Sequence, residues 1–301
     1  MTMGLLQKFK RVFIAVIFFH VMVISAIAQE TINATPAMWL IEKGEAKTYM
    51  LGSIHLLPPE VKWYEGRIEN IVNDADEVVF EVHMTPEKQR LAQQITLQNG
   101  MLTPGDNLGN YMSAEELEFV KTKATEFGIP AASVVNFKPW FASVALSVSA
   151  IIREGWNPES GVDKYIDGIA TSKNIPISEL ETLEAQMKTL YDHPLEVQAA
   201  MLIDTLQQLQ DIKEVTMGMI NSWADGDEDK MVETLIVPMK KQEEVYQKLL
   251  IERNQSWIPV IENLINKQQT TLIVAGAAHF VGDDGVIKML RDKGYDVKKV
   301  Q

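Results

Sequence analysis

The stretch LIVAGAAHFVG, from Leu272 to Gly282, joins an apolar run to a Gly-x-x-His sequence. A short run rich in Leu, Ile and Val is typical of a strand that is buried inside a sheet. The same arrangement occurs near the start of the chain in MLGSIHLLPP, from Met50 to Pro59. In α/β sheets, ligands gather where the carboxyl ends of strands meet loops. Both copies therefore predict a strand that delivers a histidine to a place where ligands bind.

Further strand patterns lie close to these two runs. The segment MWLIEKGEAKTYML predicts a hairpin, because two apolar runs flank the polar turn at residues 43–46. The segment DEVVFEVHM predicts a short buried strand that ends near Glu81. IPISEL, from Ile175, is a candidate strand, and the chain ends in a strand, helix, strand order over residues 271–300.

The residues from Pro86 to about Lys267 are mostly of helical type. Predicted helices begin at the capping box of residues 113–116 and cover residues 139–153, 195–210, 227–236, 239–253 and 258–267. Separate domains would leave each sheet fragment too small to be stable. We therefore predict one α/β domain over residues 29–301, with α+β as the alternative. Its central mixed sheet is formed from strands of both termini, and a large helical insertion covers about residues 86–267.

The first residues have the pattern of an export signal. Basic residues at positions 8, 10 and 11 precede an apolar stretch over residues 12–24, and Ala26-Ile27-Ala28 matches a signal-peptidase site. The stretch is shorter than the about 20 residues that cross a bilayer, so an uncleaved anchor is the second choice. We predict a signal peptide over residues 1–28, cleavage after Ala28 and a periplasmic or secreted protein without stable membrane insertion.

The composition narrows the classes of function. With 301 residues, 46% of them hydrophobic, the chain can bury a core. Its formal net charge of -13 argues against nucleic acid or an anionic membrane as partner. The absence of cysteine excludes disulfides and a thiol nucleophile.

Three residues at predicted strand ends form a candidate metal site: His55, Glu81 and His279. Two imidazoles and one carboxylate can bind a divalent ion while a position stays open for water, which is the catalytic arrangement. Such an ion lowers the pKa of bound water and polarises a carbonyl. Gly52 and Gly276 would let the backbone turn sharply or approach a ligand closely.

Structural roles are the alternative for the same residues. A histidine at a strand end is often only a hydrogen-bonded structural residue, and Glu81 can be a carboxylate that surfaces where its strand ends. His83 lies two residues after Glu81 and would share its face in a strand, so it is a reserve ligand.

Eight motifs occur in order along the chain after the predicted signal: LGSIHLLP, VVFEV, FKPW, GVDKYI, LETLEAQ, SWADGD, ERNQSW and VAGAAHFVGDDGVIKMLRDKGYDV. In this combination the sequence resembles the TraB/GumN family. That family includes the Tiki-type metalloproteases, which act on secreted Wnt proteins, and bacterial members of the pheromone-shutdown and polysaccharide-cluster kinds. It shares its overall design with erythromycin esterases, so the resemblance implies a Tiki/erythromycin-esterase-like fold.

The resemblance also implies roles for particular residues. His55 with Gly52, His279 with Gly276, and Glu81 become the expected metal-site residues. Arg253 and Asn254 match the arginine-asparagine pair of the family, and Gln186 lies in its LETLEAQ segment. These three are candidates for lining the cleft or stabilising an oxyanion, with Arg253 counted among the catalytic residues. Family members often have aspartate at the position of His83.

The resemblance implies an exported metal-dependent hydrolase, most simply a peptidase that cleaves amide bonds with a metal-activated water. The ion is a divalent Mn²⁺, Co²⁺ or Zn²⁺, since imidazole and carboxylate suit each of them. If His55, Glu81 and His279 all bind metal, none is free as general base, so one histidine can instead move the proton. The substrate is a peptide or small molecule. The alternative is a non-catalytic protein that sequesters a peptide or other small ligand.

Overall fold

The computed structural model describes residues 31–301, so the predicted signal peptide and its cleavage site lie outside the described residues. The strands are β1 (Ile32–Asn33), β2 (Met38–Lys43), β3 (Ala46–Ser53), β4 (Val61–Lys62), β5 (Glu77–Phe80), β6 (Ile177–Glu179), β7 (Thr270–Gly276) and β8 (Val297–Lys299). Six of them form one sheet in the order β6-β5-β7-β3-β2-β8. Strands β1 and β4 form a small parallel pair.

The large sheet is mixed and is assembled from both ends of the chain. Strands β6, β5, β7 and β3 run parallel to one another, while β2 runs antiparallel to both β3 and β8. The apolar run of β7 is buried from Thr271 to Ala275, as expected for a parallel strand covered on both faces. The predicted fold class, the hairpin of β2 and β3 and the candidate strand at Ile175 are confirmed.

Helices fill most of the sequence between β5 and β7. The α-helices are α1 (Arg67–Asp74), α2 (Pro86–Asn99), α3 (Ala114–Glu126), α4 (Ala131–Val134), α5 (Pro139–Arg153), α6 (Val162–Lys173), α7 (Leu183–Tyr191), α8 (Leu195–Gln208), α9 (Ile212–Ala224), α10 (Glu228–Met231), α11 (Val237–Met239), α12 (Glu243–Tyr246), α13 (Glu252–Ile265) and α14 (Val286–Asp292). Short 3-10 turns occur at Leu108–Asn110, Pro158–Ser160, Leu209–Asp211 and Ala277–His279. Within residues 31–301, no helix is both long and apolar enough to cross a membrane.

Of two predicted helices, the one over residues 227–236 is helical from Glu228 onward, while the one over residues 239–253 is wrong at residues 240–242, which form a turn. The segment predicted as one helix over residues 227–236 consists of α10 and a π-helix, Val232–Ile236. The segment predicted over 239–253 contains a second π-helix, Gln247–Ile251, which leads directly into α13. A π-helix takes an extra residue into one turn. This insertion shifts the phase of the apolar positions by one residue within a single turn, and so short a shift does not stand out in the spacing of apolar residues.

A predicted helix start at residue 258 is also wrong, since α13 begins at Glu252 and carries Pro259 in its interior. A proline inside a helix costs about 3 kcal/mol. The buried residues of α13 offset this cost, because Trp257, Ile261 and Leu264 belong to the main hydrophobic core with the sheet. The helical segment has a second core of its own, formed mainly by residues of α3, α5 and α8.

Candidate active site

The site lies at the carboxyl edge of the three strands in the middle of the sheet. β7 lies between β5 and β3 and runs parallel to both. Glu81 directly follows β5, His55 follows β3 by two residues, and His279 ends the 3-10 turn after β7. Nε2 of His279 lies 3.9 Å from Oε1 of Glu81. The sheet topology thus brings together the three side chains that the sequence proposed as metal ligands.

Gly276 lies at the point where these side chains meet. Its N–H donates a hydrogen bond of 2.7 Å to Oε1 of Glu81. A Cβ at this position would lie 3.2 Å from that oxygen, 3.6 Å from Cδ2 of His279 and 3.8 Å from Nε2 of His55. Only glycine therefore leaves this space open between the imidazoles and the carboxylate.

Arg253, on α13, donates hydrogen bonds from its guanidinium to several groups of the site. Its Nε donates to Glu181 (3.0 Å), and its Nη2 donates to both Glu81 and Glu181 at 2.5 Å. Its Nη1 donates to the carbonyl of Leu249 (3.1 Å) and to Nε2 of His279 (2.9 Å). All five N–H groups of the guanidinium are thus engaged. In this arrangement Arg253 holds Glu81 and His279 in place, and it has no free donor for an oxyanion.

His279 is held as a neutral ring with a defined tautomer. Oδ1 of Asn254 can only accept, so Nδ1 of His279 carries the proton in their 2.6 Å hydrogen bond, while Nε2 accepts from Arg253. Asn254 is fixed in turn, because its Nδ2 donates to the carbonyl of Asp284 (2.8 Å). Burial lowers the pKa of His279 to about 3, and the ring of Trp257 packs against it. At neutral pH Nε2 is therefore unprotonated, and its lone pair accepts the hydrogen bond from Arg253.

Glu81 is kept ionised although it is buried. Burial alone would raise its pKa, but positive charge at His279 and Arg253 and the N–H of Gly276 lower the pKa to about 2. At neutral pH the ring of His279 is uncharged, so the cations that act on Glu81 are Arg253 and the protonated His55. Gln186, on α7, donates to Oε2 of Glu81 (2.9 Å), which places this predicted cleft residue at the site.

His55 has a different environment from His279. Its Nδ1 lies 2.7 Å from Oδ2 of Asp163, and Oγ of Ser53 donates to the other carboxylate oxygen of Asp163 (2.9 Å). The charge of Asp163 raises the pKa of His55 to about 9. The side chain is 62% exposed. His55 is thus oriented by a carboxylate and remains accessible to solvent and substrate.

Two glycines permit close packing behind His55. A Cβ on Gly161 would lie 2.1 Å from the carbonyl oxygen of His55, so glycine is required where α6 begins. A Cβ on Gly52 would lie 3.1 Å from Cα of Ala277, and the carbonyl of Gly52 accepts from Nε1 of Trp223 (2.8 Å). Gly52 therefore packs beneath the site and does not line the cleft directly.

His83, the reserve ligand, contacts carboxylates other than those beside His55 and His279. Its Nε2 is 3.1 Å from Oδ1 of Asp167, and its backbone N–H donates to Glu179 (3.1 Å). β5 ends at Phe80, so the strand alternation that would place His83 on the face of Glu81 does not continue that far.

The sequence reasoning did not identify Asp163 or Glu181. Both lie in quoted motifs, GVDKYI and LETLEAQ. Glu181 also follows β6, which pairs with β5 in parallel. The strand-end argument that selected Glu81 would have selected Glu181 if it had been applied to the candidate strand at Ile175.

The residues fit a divalent metal in chemistry but not in their present positions. Two imidazoles and a carboxylate are a known catalytic donor set, and each imidazole is oriented by a second hydrogen bond, as metal-binding histidines usually are. However, in the part of the chain that the structure describes, no three His, Asp or Glu side chains are grouped closely enough to hold an ion. Arg253 contacts Nε2 of His279 and Oε2 of Glu81, so its guanidinium competes with a cation for these donors.

A match to a known protein family covers the whole sheet and the site. Neither a curated protein nor a solved structure matches the chain. The sequence profile of the TraB/PrgY/gumN family matches residues 37–299. This range contains all six strands of the large sheet and every residue of the site described above. The chain therefore belongs to the TraB/PrgY/gumN family.

Proposed function

We propose that the chain is an exported metal-dependent hydrolase that cleaves amide bonds of peptides. One observation carries the proposal. Nε2 of His55, the ring of His279 and the carboxylate of Glu81 surround one small space beside Gly276, and a separate partner fixes each of them. Family membership supports this proposal, since the TraB/GumN family that the sequence resembles includes the Tiki-type metalloproteases.

The two histidines have different tasks in this proposal. A metal ligand must be unprotonated at its binding atom. Burial and the hydrogen bond to Asn254 keep Nε2 of His279 in that state, and Arg253 keeps Glu81 ionised. We therefore assign His279 and Glu81 as metal ligands. A bound Mn²⁺, Co²⁺ or Zn²⁺ would lower the pKa of a water and polarise the substrate carbonyl.

His55 moves the proton in this assignment. It is exposed, and the carboxylate of Asp163 stabilises its protonated form. With a pKa of about 9, His55 is protonated at neutral pH, so it can donate its Nε2 proton to the leaving nitrogen of the peptide, and the water that attacks the carbonyl replaces that proton. Asp163 orients the ring, so that Nε2 is the atom that exchanges the proton.

The test separates metal binding from proton transfer. The purified protein is offered a peptide library with Mn²⁺, Co²⁺ or Zn²⁺, and metal affinity is measured by calorimetry. We expect His279→Ala to lose both metal binding and hydrolysis, and His55→Ala to lose hydrolysis but to bind metal. His83→Ala is the matched control and keeps both. Hydrolysis that persists in chelator or in His279→Ala would refute the proposal.

A non-catalytic binding protein is the second candidate. The observation that favours it is the engagement of Glu81 and His279 by Arg253, which satisfies these groups without a metal. Tight peptide binding by the purified protein, with no turnover under any metal, would support this candidate over the hydrolase.

Export rests on the first 28 residues of the sequence, and its test is direct. N-terminal sequencing of protein recovered outside the cytoplasm is expected to begin at Gln29. A retained Met1 on membranes would show that the segment acts as an anchor.

A further inference from the structure

An apolar cavity of about 320 Å³ opens directly onto the site. The side chains of His55, Glu81 and His279 form one part of its lining. The opposite walls are apolar and come from separate elements: Ile151 of α5, Trp156, Met219 and Ile220 of α9, and Leu235 of the first π-helix. The reacting groups therefore border a space that suits apolar material.

The hydroxyl groups at this cavity are already used within the protein. Thr216 donates from Oγ1 to the carbonyl of Ile212 in its own helix (2.5 Å), and Ser53 donates to Asp163 (2.9 Å). Apart from the groups of the site itself, the cavity thus recognises its occupant by shape and by exclusion of water. Apolar surface that enters such a pocket is favoured, and polar groups would lose their hydration without replacement.

A second cavity, of about 270 Å³, also borders the site. Its lining also includes His55 and Glu81, together with Phe80, Met84 and Leu183. The two reacting side chains therefore border both cavities. A substrate that reaches both must extend on each side of the bond that is attacked, as a peptide chain does.

We propose that the substrate is a peptide with a bulky apolar side chain next to the attacked bond, and that this side chain fills the cavity lined by Trp156 and Leu235. The inference rests on the proposed hydrolysis and specifies its substrate. A volume of about 320 Å³ is near the lower end of ligand pockets, which run from about 300 to 1,000 Å³. It suits one large side chain, such as that of Phe or Leu.

The expected discrimination follows from the size of the group. One missing methylene in an apolar pocket reduces kcat/KM by about 10- to 200-fold. Internally quenched peptides that differ only in one residue beside the cleaved bond should therefore show at least a tenfold fall in kcat/KM from Phe or Leu to Ala. A peptide with Asp at that position should not be cleaved at a measurable rate.

Substitutions of Leu235 test whether this cavity sets the preference for an apolar side chain. We expect Leu235→Phe, which fills the cavity, to reduce the preference for Phe over Ala at least tenfold. Leu235→Ala, which enlarges the cavity, should shift the preference toward larger side chains. Val237→Ala is the matched control, because Val237 is two residues away and 52% exposed, and it should leave the ratio unchanged. Equal cleavage of Phe and Ala peptides, or a ratio unaffected by both Leu235 variants, would overturn the inference.

A binding measurement distinguishes failure of this inference from failure of the proposed hydrolysis. Binding of the same peptides to His55→Ala is measured by calorimetry. If no peptide is hydrolysed by the unmodified protein but the Phe peptide still binds at least tenfold more tightly than the Ala peptide, the hydrolase proposal fails and the apolar cavity assignment stands. If hydrolysis occurs without any apolar preference in rate or binding, the cavity assignment fails alone.

Discussion

Replacing Arg253 with Met is expected to destabilise the protein strongly at neutral pH. The substitution leaves the carboxylates of Glu81 and Glu181, which are only 9% and 7% exposed, without their common counterion. The pKa of Glu81 is about 2 against an ordinary 4.5, which corresponds to about 3 kcal/mol of stabilisation of the ionised form. Removing one partner of a buried ion pair typically costs about 3–5 kcal/mol. We expect a loss in this range at pH 7.5.

The loss should shrink as the pH falls. In the unmodified protein, the lowered pKa of Glu81 contributes stability above its unfolded pKa, and this contribution disappears as the pH falls toward about 2. In the variant, burial raises the pKa of Glu81 without Arg253 to oppose it, so protonation of Glu81 at lower pH relieves the cost. The difference in free energy of unfolding should therefore be largest at pH 7.5 and clearly smaller at pH 4.5.

Urea unfolding followed by circular dichroism, in the presence of chelator, measures this difference. Arg90→Met is the matched control, because Arg90 is exposed on α2, and it should change stability by less than about 0.5 kcal/mol. The double variant Arg253→Met/Glu181→Gln should recover part of the loss, since it removes one of the two uncompensated charges. A loss in free energy of unfolding below about 1 kcal/mol at pH 7.5, or a loss that does not change with pH, would refute the role of Arg253 as counterion of Glu81 and Glu181.

Three further predictions concern stability. Gly218→Ala should raise the free energy of unfolding by about 0.5–1 kcal/mol in thermal denaturation, because an added Cβ in α9 meets nothing within 4 Å; a decrease would contradict this. Ser113→Ala should lower it by about 1 kcal/mol in urea unfolding, since it removes the capping box with Glu116; no change would show that the cap contributes nothing. For Glu77, burial would raise the pKa, but hydrogen bonds from Lys267 and other partners lower it overall. Glu77→Gln should therefore be less stable than the unmodified protein at pH 7, with a gap that closes as the pH falls below about 4; a constant gap would argue against the shift.

The sequence predicted the part of the site that depends on strand ends. His55, Glu81 and His279 each follow a run whose apolar character is readable locally, and parallel strands bring such ends together. Arg253 and Asn254 came from the resemblance alone. They lie on a helix that no strand-end argument reaches, directly after a π-helix, Gln247–Ile251.

The partners of these residues depend on tertiary contacts. Asp163 reaches His55 only because Gly161 lets α6 approach the loop after β3. Glu181 reaches Arg253 across elements that are far apart in the chain. Hydrogen-bond partners of this kind carry no periodic signal, so composition and spacing do not reveal them.

The pairing of β7 with β3 and β5 has a consequence for synthesis. β7 lies between β3 and β5 and pairs with both. It is formed by residues 270–276, near the end of the chain. When β3 and β5 of a growing chain have left the ribosome, the strand that lies between them in the sheet has not yet been made. Contacts between residues so far apart in sequence form slowly. The site therefore assembles only after almost the whole polypeptide has left the ribosome, and a chain that stops short of His279 lacks one of its three central side chains.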